Sequence, residues 1–353
     1  MADKNKRDTA STGLRAAMRL NIGVVADAAG VSKTTVSHVV SGNRPVSAAT
    51  RRKVERVMAE LGFEPNYFAR AMQSNRSNSV ALIVQDLTNP YYPALARGLQ
   101  GALARHGDAG QQGHVVMLFD AGAGDVLVNV FVTEMIRRRV DGVVAAAALS
   151  AEELTRLRNA GTAIVAVGAA TSASDIDWVS ADDVLIADDA TTYLIGRGHS
   201  AIAGIQGPPD SEPGASRARG WTQALRRAGL HTPPEYHVAA DWTTHGGANA
   251  AARLFALENR PTAVFCANDQ MAIGALNAAI AAGISVPGDV ALVGVDDIDA
   301  AALVRPALTT VRVPAEEIGR AAGELLTQRL ADEGTSPHRH VLVGHQLISR
   351  ASA

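Results

Sequence analysis

The sequence predicts a small all-α head followed by an α/β body that consists of two lobes, each with a doubly wound parallel sheet. Between residues 21 and 64, apolar side chains recur at the spacing of helices. From Val80 onward, short apolar runs alternate with amphipathic stretches. Repeated strand-helix-strand units form parallel sheets covered by helices. The body has more such units than one ordinary sheet holds, so two similar lobes are expected.

The composition is that of a protein with two or three domains and no membrane span. The chain has 353 residues, of which 47% are hydrophobic and 19% are charged. No apolar run approaches the ~20 residues that cross a bilayer. Residues 1–20 lack the apolar segment of a secretion signal and have no periodicity. We therefore expect a disordered extension over residues 1–20, a cytoplasmic location and no association with membranes.

The charge is divided unevenly along the chain. Residues 1–78 carry 13 lysines and arginines and 6 acidic residues, a net charge of +7, and they include every lysine. The remaining 275 residues carry 20 basic and 29 acidic side chains, a net charge of −9. A basic head on an acidic body suits a protein that docks on phosphates by one end.

The head begins with two short helical patterns joined by a turn. Asn21 can cap the pattern Ile22–Ala29, and Gly30 permits a sharp turn before Ser32 caps KTTVSHVVS. The valines of this second helix can face the first, which leaves four polar side chains pointing outward: Lys33, Thr34, Ser37 and His38. Such groups can hydrogen-bond base edges or phosphates, as in a helix-turn-helix. A polar face alone is weak evidence, because most small helical units have one.

A third helix and a linker complete the amino-terminal part. Ser47 can cap AATRRKVERVMAELG, which ends at Gly62 and carries a stripe that closes the core: Val54, Val57, Met58 and Leu61. The following NYFARAMQSNRSNS predicts about two helical turns, too short to be stable alone in water, and then a polar linker. The predicted divisions are a DNA-binding domain over 21–64, a hinge helix and linker over 65–78, and the body over 79–353.

Several of the strand-like runs of the body end in polar residues. In order, the runs are VALIVQD, HVVMLFD, VDGVVAAAA, AIVAVG, WVSADD, AIAGIQG, YHVAAD, TAVFCAND, VALVGVDD, AALVRPALTTV and HVLVGHQLI. Ligands of parallel sheets bind beyond the carboxyl ends of strands. Each polar cluster by itself is better explained as a turn at a strand end, but their convergence predicts a small-molecule site between the lobes.

These features together resemble the lactose/galactose repressor (LacI/GalR) family of bacterial transcription regulators. The resemblance runs from about Asn21 to Ser352. Its most specific motifs are AGVSKTTVSHVVSG, PVSAATRRKV, ELGFEPNYFARAM, DLTNPYYPALARG, RRRVDGVV, PTAVFCANDQMAIGAL, VPGDVALVGVDDI and PALTTVRVPAEEIGRAA. The resemblance implies a periplasmic-binding-protein-like body. Its N-lobe covers about 79–177 and 308–340, and its C-lobe covers about 178–307 and 341–353.

The resemblance also implies which residues contact DNA. They are Ser32, Lys33, Thr34, Thr35, Ser37, His38, Asn43, Arg44, Asn66, Ala69, Arg70 and Met72. Lys33, Thr34 and His38 take the base-reading positions. Most members have Arg where His38 stands, so an altered operator preference is expected there. Met72 replaces the usual Leu of a wedge that kinks the operator at its centre.

Seven residues take the effector-lining positions of the family. They are Asn89, Tyr91 and Tyr92 in one lobe and Arg217, Trp242, Asn268 and Asp296 in the other. Trp242 would supply an apolar face, and Arg217 and Asp296 would orient polar groups. Two departures affect the effector class: Gly168 replaces an Asp that binds effector in several members, and Val295 replaces a common aromatic residue. Asp269 is interpreted as an N-cap and not as a ligand.

The sequence thus predicts an effector-responsive repressor that binds a palindromic operator as a homodimer on the bacterial nucleoid, without metal or cofactor. The effector is a sugar or related metabolite, and a nucleobase-type corepressor is the alternative. Without a Leu heptad after LVGHQLISR, a dimer is favoured over a tetramer. A solute-binding protein would need a secretion signal. An enzyme is disfavoured because G-x-S-x-G, G-x-x-x-x-G-K-[ST] and metal-ligand spacings are missing from the sequence.

Overall fold

The computed structural model describes residues 21–41, 44–63, 77–105, 113–122, 125–168, 175–332 and 336–353. It divides the chain into two compact units, Met1–Asn78 and Ser79–Ala353. The predicted extension over residues 1–20 lies outside the described residues, as does most of the predicted hinge. Five of the predicted DNA contacts therefore have no structural account: Asn43, Asn66, Ala69, Arg70 and Met72.

The described part of the head folds into helices α1 (Ile22–Ala29), α2 (Lys33–Ser41) and α3 (Ala48–Leu61). Asn21 Oδ1 accepts hydrogen bonds from the amides of Gly23 and Val24 at 2.8 and 3.3 Å, so the predicted cap of α1 is confirmed. Ser47 caps α3 in the same way by accepting from the Thr50 amide at 3.2 Å. These side chains satisfy amides that the first turn of a helix leaves without partners.

A single cluster of apolar side chains holds the three helices together. Its fully buried members are Val25, Ala26, Ala29, Val36, Val39, Val54, Val57 and Phe63. The predicted stripes are confirmed, with Ile22, Val40, Met58 and Leu61 packed against this cluster in partly buried positions. Phe63, which the sequence places only at the end of the head, is itself in the core with 8% of its surface exposed. The helices therefore bury one face each and leave the other to solvent.

Two six-stranded sheets form the body. The first contains β1 (Ser79–Val84), β2 (Val115–Asp120), β3 (Gly142–Ala146), β4 (Ala163–Val167), β5 (Asp177–Ser180) and β11 (His340–Leu342). These strands run parallel in the order β11-β5-β4-β3-β1-β2. The second contains β6 (Ile202–Gln206), β7 (His237–Ala239), β8 (Ala263–Cys266), β9 (Ala291–Asp296), β10 (Thr309–Arg312) and β12 (Gln346–Ile348). Its order is β12-β10-β9-β8-β6-β7, with only β12 antiparallel to its neighbour.

Helices cover both sheets. In chain order they are α4 (Tyr91–Arg105), α5 (Asp125–Arg138), α6 (Ala151–Asn159), α7 (Asp183–Gly196), α8 (Glu212–Arg227), α9 (Thr244–Phe255), α10 (Asp269–Ala281), α11 (Asp299–Leu303) and α12 (Ala315–Ala331). A short 3₁₀ helix spans Pro234–Tyr236. In the N-lobe α4 packs on α12 and α5 on α6, and in the C-lobe α7 packs on α8 and α9 on α10. None of the described helices combines the length and apolar composition that crossing a bilayer requires.

Strand β1 shows how one sheet supplies two cores. Val80, Leu82 and Val84 belong to the large cluster that includes the leucines of α4, whereas Ala81 and Ile83 belong to the cluster that includes α5 and α6. Successive side chains of a strand point to opposite faces, and both faces are covered here. The predicted fold class, a helix-turn-helix head with two doubly wound parallel sheets, is confirmed.

The chain crosses between the lobes three times, each time later than the resemblance implies. The crossings follow Ser180, Arg312 and Leu342, because pairing assigns β5 and β11 to the first sheet and β10 to the second. The predicted crossings lie near residues 177, 307 and 340. Hydrogen bonding between neighbouring strands decides which lobe a strand belongs to, and the strand ends run a few residues past the predicted points.

Candidate functional site

The turn between α1 and α2 fixes the direction of the second helix. Gly30 adopts φ 59°, a left-handed conformation that favours glycine, and its amide bonds the last carbonyls of α1. Ser32 Oγ accepts from the Thr35 amide at 3.0 Å and lies 2.8 Å from Thr35 Oγ1. Ser32 and Thr35, both predicted DNA contacts, therefore bond each other at the start of α2 in this structure.

The remaining predicted contacts of the head lie at its surface. Lys33, Thr34 and Arg44 are exposed, and Ser37 and His38 are half-buried between them and the core valines of α2. The stem of Lys33 lies against the start of α1, where a Cβ added to Gly23 would stand 3.0 Å from Lys33 Cε. The face is thus polar and is backed by the apolar core of the head.

Helix α3 adds positive charge to the head. Arg52, Lys53 and Arg56 are exposed, and Arg51 is half-buried. Arg56 forms a 3.7 Å ion pair with Glu60 in which both side chains are mostly exposed. Such pairs are weak in water, so these cations remain available to phosphates.

The N-lobe contributes a tightly bonded loop between β1 and α4. Asn89 Oδ1 accepts from the Tyr91 amide at 3.0 Å. The Tyr92 hydroxyl donates to Gln85 Oε1 at 3.2 Å, and the two tyrosine rings meet edge to face with 5.3 Å between centroids. Burial raises the pKa of both tyrosines above the ordinary value, so their hydroxyls stay protonated. The loop therefore offers hydroxyl groups and an amide at the carboxyl end of the first sheet.

A buried arginine lies at the centre of the C-lobe part. Arg217, on α8, donates from Nε to Asp183 Oδ1 at 2.7 Å and from Nη1 to the Ala267 carbonyl at 2.5 Å. Its Nη1 also lies 3.8 Å from Asp296 Oδ1. Burial lowers the pKa of Arg217, but the two carboxylates outweigh burial and hold that pKa above its ordinary value. The guanidinium is therefore a fixed positive charge.

Trp242 is held beside this arginine. Its ring centroid lies 5.8 Å from Arg217 Cζ, a cation-π distance. The ring covers Gly207, where an added Cβ would stand 2.1 Å from it, so the contact requires glycine. Trp242 adopts φ 70°, and its carbonyl accepts from Asn268 Nδ2 at 2.9 Å. The aromatic face is thus positioned by its backbone as well as by packing.

The cap of α10 differs from the prediction. Asn268 Oδ1 accepts from the Met271 amide at 2.9 Å, so Asn268 is the N-cap and both ends of its side chain are engaged within the protein. Asp269, interpreted from the sequence as the cap, is the first residue of the helix. Its carboxylate is fully buried and accepts from the Ile298 amide at 3.0 Å and the Thr310 hydroxyl at 2.6 Å. The cap is one residue earlier because the helix begins one residue earlier.

The two lobes touch at the predicted effector site. The Asn89 side chain faces Asp296 across the cleft and acts to lower the pKa of that carboxyl. Gln270 Nε2 also donates to the Thr88 carbonyl at 3.3 Å. The pKa of Asp296 is raised to about 7, chiefly by burial and also by Asp183, against the opposing effects of Arg217 and Asn89. Near neutral pH, this carboxyl can therefore accept or donate a hydrogen bond.

An open groove of about 850 Å³ adjoins this contact. Of the seven predicted effector residues it reaches Tyr91 and Asp296, and it continues past Arg97, Arg312 and Arg320. The structure therefore brings the predicted residues together around Asp296 but does not place them in a single open pocket. Arg217 and Asn268 are enclosed, with 8% and 1% of their surfaces exposed.

Sequence reasoning missed several residues of this site. Asp183, which pairs with Arg217, belongs to the WVSADD run, and only its position after a strand could have indicated it. Gly168 has φ 95°, and its amide donates to the Val179 carbonyl at 2.9 Å. An aspartate at that position would be strained in this conformation, so the backbone here favours glycine over a residue with a carboxylate.

The carboxy-terminal histidines have separate contacts. His338 Nδ1 lies 3.2 Å from Arg329 Nη2, His340 stacks on Trp178, and His345 Nε2 lies 2.9 Å from Asp189 Oδ2. Within the described residues, no group of three or more His, Cys, Asp or Glu side chains could hold a metal ion. Cys266 is fully buried.

Comparison with known proteins adds an independent observation. Residues 21–66 match the family model described as bacterial regulatory proteins, lacI family, and residues 191–353 match a periplasmic binding protein-like domain. The ribose operon repressor of Escherichia coli (strain K12) is 34% identical over 93% of this chain and 98% of its own length. The transcriptional repressor CytR of the same strain is 33% identical over 97% and 95%. The solved complex of the transcriptional regulator CelR with cellobiose is 31% identical, with a TM-score of 0.72 over 95% of this chain and 100% of the other.

Proposed function

The chain belongs to the lacI family of bacterial regulatory proteins, and on that premise we propose that it represses transcription by binding a palindromic operator as a homodimer under the control of a small metabolite. We further propose that it acts in the cytoplasm. Its relatives are transcriptional repressors and not enzymes. The following observations support the finer parts of the proposal.

The geometry of α2 carries the DNA-binding part. The left-handed Gly30 and the Ser32 cap direct this helix so that Lys33 and Thr34 face solvent while Val36 and Val39 face α1 and α3. Lysine and threonine can both bond base edges in the major groove. The exposed cations of α3 supply phosphate contacts, which strengthen binding without selecting sequence.

Uncovered apolar side chains support a homodimer. Val115 and Leu118 on the edge strand β2 and Leu127 and Val130 on α5 are all about half exposed, between 45% and 57%. Exposed large apolar side chains are candidates for protein interfaces. A second copy of the chain would cover them and place two heads on two half-sites, and a twofold protein matches a palindromic operator.

The chemistry of the cleft supports a polar, ring-shaped effector. Trp242 supplies an aromatic face, and Arg217, Asp296 and the two tyrosines supply donors and acceptors around it. This combination suits sugars, whose rings have apolar faces and hydroxyl edges. One relative is named for a ribose operon, and another was solved with cellobiose. We therefore propose a sugar or sugar-containing metabolite as the effector.

Control of DNA binding follows from a change in the contact between lobes. A ligand that separates Asn89 from Asp296, or that bridges them, favours one lobe arrangement over the other. Its effect on operator affinity equals its difference in affinity for the two arrangements, typically about 1–3 kcal/mol. The sign of that difference decides between an inducer and a corepressor.

His38 supports a proposal about the operator. Histidine rarely grips guanine with two parallel hydrogen bonds, whereas arginine commonly does. His38→Arg is therefore expected to raise relative affinity for guanine at the base pair that residue 38 reads. Equal relative affinities for all four bases in both proteins would contradict this assignment.

Selection from a random pool of duplexes tests the main proposal. The purified full-length protein is expected to enrich a symmetric sequence and to lose affinity steeply as salt rises, because cations are released from the phosphates. D-ribose, cellobiose, nucleosides and purines are then added to the enriched complex. One of them is expected to change operator affinity about 5- to 150-fold.

Two outcomes would refute parts of the proposal separately. If no symmetric sequence is enriched with or without the added metabolites, operator binding is wrong. If a symmetric sequence is enriched but neither sugar nor nucleoside alters its binding or the melting temperature, the effector class is wrong. Sedimentation of the free protein and of Leu127→Glu tests the homodimer. A charge among the exposed apolar side chains of β2 and α5 should yield monomers.

A further inference from the structure

Strand β9 ends in an unusual backbone conformation. Asp296 and Asp297 have φ values of 115° and 59°, two consecutive non-glycine residues in the left-handed region. L-residues adopt this region rarely, and they persist there only when the surrounding structure holds them. Asp296 is the residue that meets Asn89 and Arg217 at the contact between lobes. The direction of its carboxyl therefore depends on whatever holds this turn.

Two arginines hold the second residue of the turn. Arg312 donates from Nε to Asp297 Oδ2 at 2.8 Å, and its Nη2 lies 2.7 Å from the same oxygen. Arg350 donates from Nη2 to Asp297 Oδ1 at 2.6 Å. The Asp297 side chain is only 6% exposed. One enclosed carboxylate thus receives a different guanidinium on each oxygen, and charge-assisted bonds of this kind are short and directional.

The two arginines lie in the parts of the C-lobe that the chain leaves or enters at a crossing. Arg312 is the last residue of β10, immediately before the second crossing. Arg350 follows β12, which the chain reaches after the third crossing, and its side chain also donates to the Leu308 carbonyl at 2.8 Å. Asp297 is therefore the point at which two of the three crossings are tied to the end of β9.

The residue after the turn is fixed from the opposite side. The buried Asp269 carboxylate accepts from the Ile298 amide and from the Thr310 hydroxyl of β10. Asp269 bonds Thr310 and Asp297 bonds Arg312, and both partners lie on β10. The turn therefore cannot change conformation without moving that strand. The two residues that follow Asp296 are thus each held by carboxylate contacts, and Asp296 lies between them and the rest of strand β9.

We propose that Asp297, through Arg312 and Arg350, is a positioning residue that holds the Asp296 carboxyl against Asn89 and links its orientation to the chain crossings between the lobes. Asp297 itself contacts the two arginines and lines the groove that adjoins the contact between lobes. A displacement of either crossing would release Asp297 and let the turn rotate Asp296 away from the other lobe. That Asp297 influences effector binding in this way rests on the proposed function, whereas its positioning of Asp296 does not.

Amide hydrogen exchange of the full-length protein, without ligand or DNA, tests the positioning. Asp297→Asn keeps the size of the side chain but weakens both arginine contacts. We expect exchange at least ten times faster at Ile298 and, in the other lobe, at Tyr91, whose amide bonds Asn89. Faster exchange at Tyr91 distinguishes the proposal from a purely local role of Asp297, because a local role would not affect an amide in the other lobe.

A matched control is available in the same lobe. Asp188 receives Arg227 on both oxygens at 2.7 and 2.8 Å, between α7 and α8, neither of which carries Asp297 or its two arginines. Asp188→Asn is expected to leave exchange at Ile298 and Tyr91 unchanged. Arg312→Gln and Arg350→Gln should each reproduce part of the Asp297→Asn effect, and Arg312→Lys should restore part of it.

The proposal is overturned if Tyr91 exchanges in Asp297→Asn as it does in the wild type, or if Asp188→Asn accelerates it equally. Melting temperatures of all variants are measured alongside, and general unfolding would appear as faster exchange throughout the body. If Asp297→Asn shows such general unfolding, Arg312→Gln is compared with Arg312→Lys, because lysine keeps the charge. The proposal is also overturned if exchange at Tyr91 is unchanged in a fully folded Arg312→Gln but altered in Arg312→Lys. A failed operator selection would leave these outcomes unaffected.

Discussion

The head and the body use polar residues in opposite ways. On α2, Lys33 and Thr34 are exposed and stand on a core that is complete without them. In the cleft, Arg217 and Asp296 are buried. Arg217 bonds Asp183, and its Nη1 lies 3.8 Å from Asp296 Oδ1. A duplex approaches from outside and brings its own charge, so the side chains that read it must point outward. A small molecule is enclosed, so its site must already balance its own charges when empty.

This difference has consequences for stability. An exposed polar residue can be replaced without loss of folding free energy, because water solvates whatever remains. A buried polar residue leaves its partners unpaired when it is removed, and the unpaired groups carry the cost. Variants of the head should therefore fold and fail to bind, whereas variants of the cleft should lose stability together with binding.

Arg217→Ala should produce the largest effect and so tests the comparison most severely. It leaves Asp183 and Asp296 buried without their cation, and removing one partner of such a group costs about 3–5 kcal/mol. All three tryptophans lie in the body, so urea unfolding followed by their fluorescence reports the body alone. Arg226→Ala, an exposed arginine of the same helix, should change stability by less than about 0.5 kcal/mol. Equal effects of the two variants would show that the cleft charges are not interdependent.

The pH dependence of Asp296→Asn should be the next largest effect. Burial raises the pKa of Asp296 to about 7, above its value in the unfolded chain. The folded protein therefore holds an extra proton between those pKa values, and this contribution to stability is lost as pH rises through about 7. From pH 5 to 8 the variant should gain about 2–3 kcal/mol relative to the wild type. Parallel pH profiles of unfolding would contradict the burial of this carboxyl.

Gly207→Ala tests how rigidly the aromatic face is held. The added Cβ meets the Trp242 ring, so the ring must move, and overpacking of this kind costs about 1–3 kcal/mol. Trp242 emission should shift and ligand affinity should fall. Gly196→Ala is the control: no atom lies within 4 Å of its Cβ position in α7, and the change should be neutral or stabilising. Unchanged emission in Gly207→Ala would show that the ring is free to move.

Lys33→Ala should have the smallest effect on folding. Its loss should reduce affinity for the selected operator by about 1–3 kcal/mol, roughly 5- to 150-fold, and relax specificity at one base pair. Unfolding of the head should change by less than about 0.5 kcal/mol. Fluorescence anisotropy on the selected and a scrambled duplex measures the affinity, and circular dichroism measures the unfolding of the head. A loss of stability comparable with that of Arg217→Ala would remove the distinction between the two regions.

The sequence predicted the head more completely than the site in the body. Helical spacing identifies every apolar stripe of the three-helix core, and a cap or a glycine marks each turn, because these signals are local. The cleft depends on partners far apart in the chain: Asp183 meets Arg217, and Asn89 meets Asp296. No local pattern pairs such residues. The confusion of Asn268 with Asp269 has the same origin, since both are polar residues at one strand end.

The sequence by itself determined the order of helices and strands, the outward polar face of α2, and the two-lobed α/β class. Tertiary structure decided where each strand lies. The run HVLVGHQLI, continuous in the sequence, divides into β11 in one sheet and β12 in the other, and Asp296 and Asp297 adopt left-handed conformations that no local preference favours. The physical reason is that periodicity records only which side of an element is buried. The partner it is buried against is chosen by packing and hydrogen bonding across the whole chain.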